Sequence, residues 1–198
     1  MTKPTFLSRT ALLTAALTLA PLLVQAHPGH DGHDVGFSAG LVHPLNGVDH
    51  LLAMVAVGLW AVQLGGRALW AVPGAFIAAM SLGGILGMNG INLPFAEHGI
   101  MASIFVLGAL IAMAARLSMA QSSVLVALFA LFHGFAHAAE APVAANGTQY
   151  VIGFAIATAV LHAFGVLSGS ALKAAAQSRY MRIAGMAVIA GGVFLSLN

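Results

Sequence analysis

The chain has 198 residues, of which 60% are hydrophobic and only 6% charged, with a formal net charge of +2. So few charges cannot cover the surface of a water-soluble globule, and the composition indicates an all-α integral membrane protein. The absence of cysteine excludes disulfides and thiolate metal sites, and scattered basic residues without interleaved aromatics exclude a nucleic-acid surface.

Lys3 and Arg9 precede an apolar stretch that runs to Val24, and Val24-Gln25-Ala26 closes it with small residues where a signal peptidase reads. Residues 1–26 are expected to be a cleavable signal peptide. An uncleaved first membrane helix is the alternative, disfavoured by Pro21 and the short apolar run. Cleavage would leave His27-Pro-Gly-His30-Asp-Gly-His33-Asp34 at the new N-terminus, a polar segment (27–34) whose Gly and Pro oppose regular structure. His27, His30 and His33 are candidate metal-collecting ligands there, because imidazole is the commonest biological metal ligand. The competing reading is a solvated tail without a role. Pro28 lacks an N–H, which argues against a square-planar terminal chelate built on a deprotonated second-residue amide.

Residues 35–198 read as the membrane domain. Six transmembrane helices, each near the roughly 20 residues that cross a bilayer, are expected at about 44–64, 69–88, 97–115, 123–139, 150–172 and 183–197. The segment 36–42 is apolar but too short to cross, which suits a re-entrant or interfacial piece. With the mature N-terminus outside, the inner loops hold Arg67, Arg116, Lys173, Arg179 and Arg182, and the outer loops hold no basic residue. That is the positive-inside bias, and it places both mature termini of a multi-pass protein outside. Gly83 with Gly87, Gly165 with Gly169, and Gly191 with Gly192 offer small-residue faces for close helix packing in lipid.

The first span opens on His43-Pro-Leu-Asn-Gly-Val-Asp49-His50. At about 100° per residue His43, His50 and Met54 share one helix face, with Asp49 about a third of a turn round. Pro44 suits a first helical turn and biases His43 towards extended backbone, which makes His43 the expected hinge. Downstream, Phe132-His133-Gly-Phe-Ala-His137-Ala-Ala-Glu140 stacks His133, His137 and Glu140 on one stripe by its i, i+4, i+7 spacing. On the expected topology both clusters, and Glu97 with His98, lie towards the outer face, as in the outer half of a cation pathway. Ionisable side chains at membrane depth usually face a partner or a cavity. The metal-ligand candidates are therefore His43, Asp49, His50, His133, His137 and Glu140, with Met54, Glu97, His98 and His162 as weaker ones. The competing reading makes them polar pairs that pin helices together. Imidazole with carboxylate suits Ni²⁺, Co²⁺, Zn²⁺ or Cu²⁺ better than Mg²⁺ or Ca²⁺, and does not choose among the four.

These two motifs, with Leu51-Leu-Ala-Met54, Gly58-Leu-Trp60 and Leu161-His162-Ala-Phe-Gly165, resemble the HupE/UreJ family of nickel permeases over nearly the whole mature chain. Ala138 stands where that family usually has Gly. The resemblance implies a six-span inner-membrane carrier for Ni²⁺, or in some members Co²⁺ or other divalent metals, that supplies hydrogenase or urease maturation. It implies a metal ion as substrate, no prosthetic group and no enzyme activity. No Gly-rich Lys-Ser/Thr loop is present, so ATP hydrolysis by this chain is not expected. The main rival is an intramembrane zinc-dependent hydrolase in which the same residues activate water and Glu140 serves as general base; a surplus of ligands along two helices speaks against it. A metal sensor is weaker still, since no output domain is recognisable.

Overall fold

The computed structural model describes residues 35–141, 146–174 and 178–197; the expected signal peptide (1–26) and His/Asp-rich segment (27–34) lie outside the described residues. Every regular element among the described residues is an α-helix: α1 Val35–Asn46, α2 Val48–Leu64, α3 Ala68–Met88, α4 Ala96–Ala112, α5 Met119–Glu140, α6 Gly147–Ala174 and α7 Ser178–Leu197. Helices α3, α5, α6 and α7 are each long and apolar enough to cross a membrane, and the bent pair α1–α2 makes up to a fifth span.

The expected first span beginning at Pro44 is divided. α1 and α2 meet at 84°, and Pro44 lies inside the last turn of α1 with His43 in the same helix. The hinge is Gly47, which caps α2 in extended backbone (φ −102°, ψ 116°). Packing overrides the local bias of a pre-proline residue. A Cβ at Gly40 would collide with the Tyr150 carbonyl, one at Gly36 would lie 2.8 Å from the Asn146 carbonyl, and one at Gly153 would meet the backbone of Phe37 and Leu41. This backbone-close seam between α1 and α6 keeps α1 helical through Pro44. The segment 36–42 is the body of α1.

The expected third span, 97–115, is shortened to the 17 residues of α4. Ala115 N–H donates to the Leu110 carbonyl and Ala114 N–H to the Ile111 carbonyl, with Ala114 left-handed at φ 56°, a Schellman closure that ends the helix early. α5 starts earlier than expected because Ser118 and Gln121 form a reciprocal capping box.

The glycine contacts set the helix directions. α2 and α6 advance in the same sense through Gly58 and Gly165, as do α3 and α5 through Gly83 with Leu131 and Gly87 with Ala138. α4 and α7 run antiparallel, with Gly108 facing Gly185 and Ile104 facing Gly192. Trp70, Val124, Val160 and Leu167 point outward, whereas His133, His137, His162, Ser103 and Thr158 are buried. An apolar exterior around a polar interior is the distribution expected of helices dissolved in lipid.

Candidate metal centre

The centre forms where the end of α1, the start of α2 and the last two turns of α5 converge. On α5 the side chains descend in exposure along one stripe: Glu140 is half exposed (52%), His137 is buried, and His133 is fully buried (0%). The bend at Gly47 brings His43 from α1 and His50 from α2 to this stripe from two directions, where a straight span would have carried both on one face. His43 lies edge-on to His137 at 4.8 Å between ring centres, His50 lies 4.2 Å from His137, and His50 lies 5.2 Å from His133.

Two donor groups result. His43, His137 and Glu140 can each present one ligand atom with all three within 4.8 Å of one another, and so can His50, His133 and His137. The first group is partly open to solvent and the second is buried, and His137 belongs to both.

Hydrogen bonding fixes which ring nitrogens are free to act. The Asp49 carboxylate accepts from the His50 backbone N–H at 2.8 Å and from His50 Nδ1–H at 2.7 Å, so His50 keeps a bare lone pair on Nε2. Ser103 Oγ donates to the Ile100 carbonyl at 2.6 Å and lies 3.3 Å from His133 Nε2. With its hydroxyl proton committed, Ser103 accepts from His133 Nε2–H, and Nδ1 carries the lone pair. His50 Nε2, His133 Nδ1 and both nitrogens of His137 are buried without a hydrogen-bond partner among the described residues. Buried imidazole lone pairs oriented by outer hydrogen bonds suit a borderline divalent cation. In the outer group His43 Nε2–H donates to Glu140 Oε2 at 2.8 Å, and His137 Nδ1 lies 3.8 Å from the same oxygen.

The remaining candidates fall elsewhere. Asp49 belongs to neither donor group; it holds His50. Met54 is fully buried in the apolar core, and its backbone carbonyl accepts from His162 Nδ1–H at 2.8 Å. Glu97 and His98 are exposed on the first turn of α4, where His98 meets the Phe95 ring at 5.8 Å. His27, His30 and His33 lie outside the described residues.

Four residues escaped sequence reasoning: Ser103 under His133, Phe76 against both His133 and His162, and Phe154 and Tyr150 beside the outer group, with Phe154 3.9 Å from His137 and Tyr150 5.9 Å from His43. A hydroxyl inside an apolar run was the available signal for Ser103. An aromatic in a hydrophobic helix carries no such signal.

Fold and site together define an all-helical membrane protein with a buried, histidine-lined polar centre. Among known families, HupE / UreJ protein matches residues 15–195. Protein HupE of Rhizobium leguminosarum bv. viciae is 43% identical over 188 residues, which cover 95% of this chain and 97% of that protein. The chain belongs to the HupE/UreJ family. No solved structure matches it.

Proposed function

We propose that this chain is an inner-membrane permease for a divalent transition-metal ion, Ni²⁺ foremost and Co²⁺ next, that supplies the maturation of a nickel enzyme such as hydrogenase or urease. The observation that carries the reading is the pair of donor groups joined at His137, one half open and one buried, stacked in the order a cation would meet them. A cation arriving from outside meets the Glu140 carboxylate first, whose charge offsets part of the cost of drawing a divalent ion to membrane depth. It separates His43 from Glu140 by taking the place of their hydrogen bond, the His43 proton moving from Nε2 to Nδ1 as Nε2 turns to the ion. His137 then turns the ion inward to the lone pairs of His50 Nε2 and His133 Nδ1. Asp49 and Ser103 keep those two rings in the tautomers that need no further deprotonation.

Six crossings fit the alternating helix directions. α4 at 17 residues spans about 26 Å at the helical rise, near the lower limit for a bilayer core. We place a cleaved leader before His27, the mature termini in the periplasm and the inner loops at Arg67, Arg116 and Lys173. The hydrolase alternative gains no favouring observation, since the two donor groups form a succession and not one fixed three-ligand site beside a substrate cleft. The test is Ni²⁺ uptake into proteoliposomes that contain only this chain. Vesicles that bind Ni²⁺ but never accumulate it in the lumen, under any proton or voltage gradient, would refute the permease reading.

A further inference from the structure

Beyond the histidine centre, one buried imidazole remains unused by it. His162, midway along α6, is only 2% exposed, and its Nδ1–H donates to the Met54 carbonyl. Its Nε2 therefore carries a lone pair, and that atom is buried without a hydrogen-bond partner among the described residues. The ring is held firmly: α2 and α6 touch here through Gly58 and Gly165, and a Cβ on Gly58 would collide with the His162 carbonyl. The phenyl ring of Phe76, itself fully buried, touches both His162 and the centre: it lies 5.3 Å from the His133 ring and 5.1 Å from the His162 ring, which it meets edge-on. Among the described residues no direct ring contact joins His133 to His162. One turn along each helix, Thr158 Oγ1 and Met80 Sδ are 3.6 Å apart, so the faces of α3 and α6 that carry Phe76 and His162 also carry an oxygen and a thioether.

We infer that His162 is an inner way-station ligand for the transported divalent cation, and that Phe76 is the apolar partition the ion passes to reach it from His133. The inference rests on the permease reading. The step is a ligand exchange: the ion leaves His133 Nδ1 and gains His162 Nε2, and no proton moves because the Met54 carbonyl already holds the His162 proton on Nδ1. A single imidazole binds a divalent ion weakly, which suits a position meant to release it onward, since conduction needs sites that an ion can leave.

The experiment uses the full chain in two arms. The His162→Gln variant keeps an N–H for the Met54 carbonyl and removes the imidazole lone pair. Its maximal Ni²⁺ uptake rate should fall by about tenfold or more in proteoliposomes, while Ni²⁺ affinity in detergent shifts by less than about twofold. Uptake at the wild-type rate would overturn the inference, and so would an affinity loss as large as the rate loss, which would make His162 a packing residue of the main centre. In the second arm the His162→Cys variant, in a chain with no other cysteine, is titrated with Cd²⁺ alone. A thiolate-to-cadmium absorption band should appear, and should appear faster when Phe76→Ala is added. Absence of the band in folded protein that binds Cd²⁺ at the histidine centre would overturn the inference without reference to transport. Conversely, failure of wild-type vesicles to accumulate Ni²⁺ would refute the permease reading and leave the cadmium result to decide on His162 as a ligand.

Discussion

Asp49→Asn is the most informative single substitution, because it changes one atom type and leaves the geometry in place. The carboxylate takes two hydrogen bonds from His50, at 2.7 Å from the ring and 2.8 Å from the backbone. An asparagine carbonyl can accept both, so the ring stays oriented, but the charge-assisted bond to Nδ1–H becomes a neutral one of about half the strength. Weakening that bond lowers the electron density on Nε2, the lone pair that would face the ion. Loss of an outer partner of a metal-binding imidazole typically costs about 10–100-fold in affinity. The Asp49 side chain is 25% exposed, so solvent already screens part of its charge, which puts the expectation at the lower end. Ni²⁺ affinity should fall about tenfold, or about 1.4 kcal/mol, by calorimetric titration of the full chain in detergent. His133→Ala, which removes a lone pair outright, should abolish high-affinity binding. An unchanged affinity in Asp49→Asn would refute the outer-partner role, and a loss as complete as that of His133→Ala would make Asp49 itself a ligand.

Gly134→Ala should destabilise the fold by roughly 1–3 kcal/mol in thermal unfolding, because its Cβ would run into the Met80 carbonyl and lie 2.7 Å from the Gly84 nitrogen; Gly74→Ala, with nothing within 4 Å, should be neutral or gain up to about 1 kcal/mol. Ni²⁺ binding should tighten as pH rises, since imidazoles must be unprotonated to bind. Calorimetric titration at several pH values measures this, and an affinity that does not change with pH would contradict ligation by imidazole. Asn92→Cys should react with an impermeant thiol reagent from outside and Ala120→Cys should not; both positions are exposed, and the opposite pattern would invert the orientation.

The sequence makes the α5 stripe legible because its three residues depend on one local period, and a helix keeps that period whatever surrounds it. The same reasoning misplaces His43 and His50 on a single face. Their relation depends on a bend at Gly47 that is held open by the backbone-close seam between α1 and α6, about a hundred residues apart in sequence. The Schellman closure of α4 at an alanine is equally hidden, since glycine is the residue that advertises such an ending. Close packing was legible at Gly83, Gly87, Gly165 and Gly169, which face neighbouring helices. Ala138 packs against Gly87, where a Cβ would lie only 2.5 Å from the alanine methyl, so two small residues on facing helices share one space. The role of Asp49 could not be read from spacing, because whether a carboxylate faces an ion or its neighbouring imidazole is decided by one side-chain torsion.

Because His137 is common to both donor groups, the outer and buried positions cannot both be filled with all three ligands; one ion must do without it. In the permease proposed above, the arrangement would act as a turnstile: one ion would have to clear the histidine before the next could settle. Flux would then saturate at low external metal, successive ions would not push one another through, and a second metal species would inhibit by occupying the gate and not by crowding a queue. On that proposal, a cell with such a carrier would take up a scarce metal at a nearly constant pace and be shielded from a surge of it.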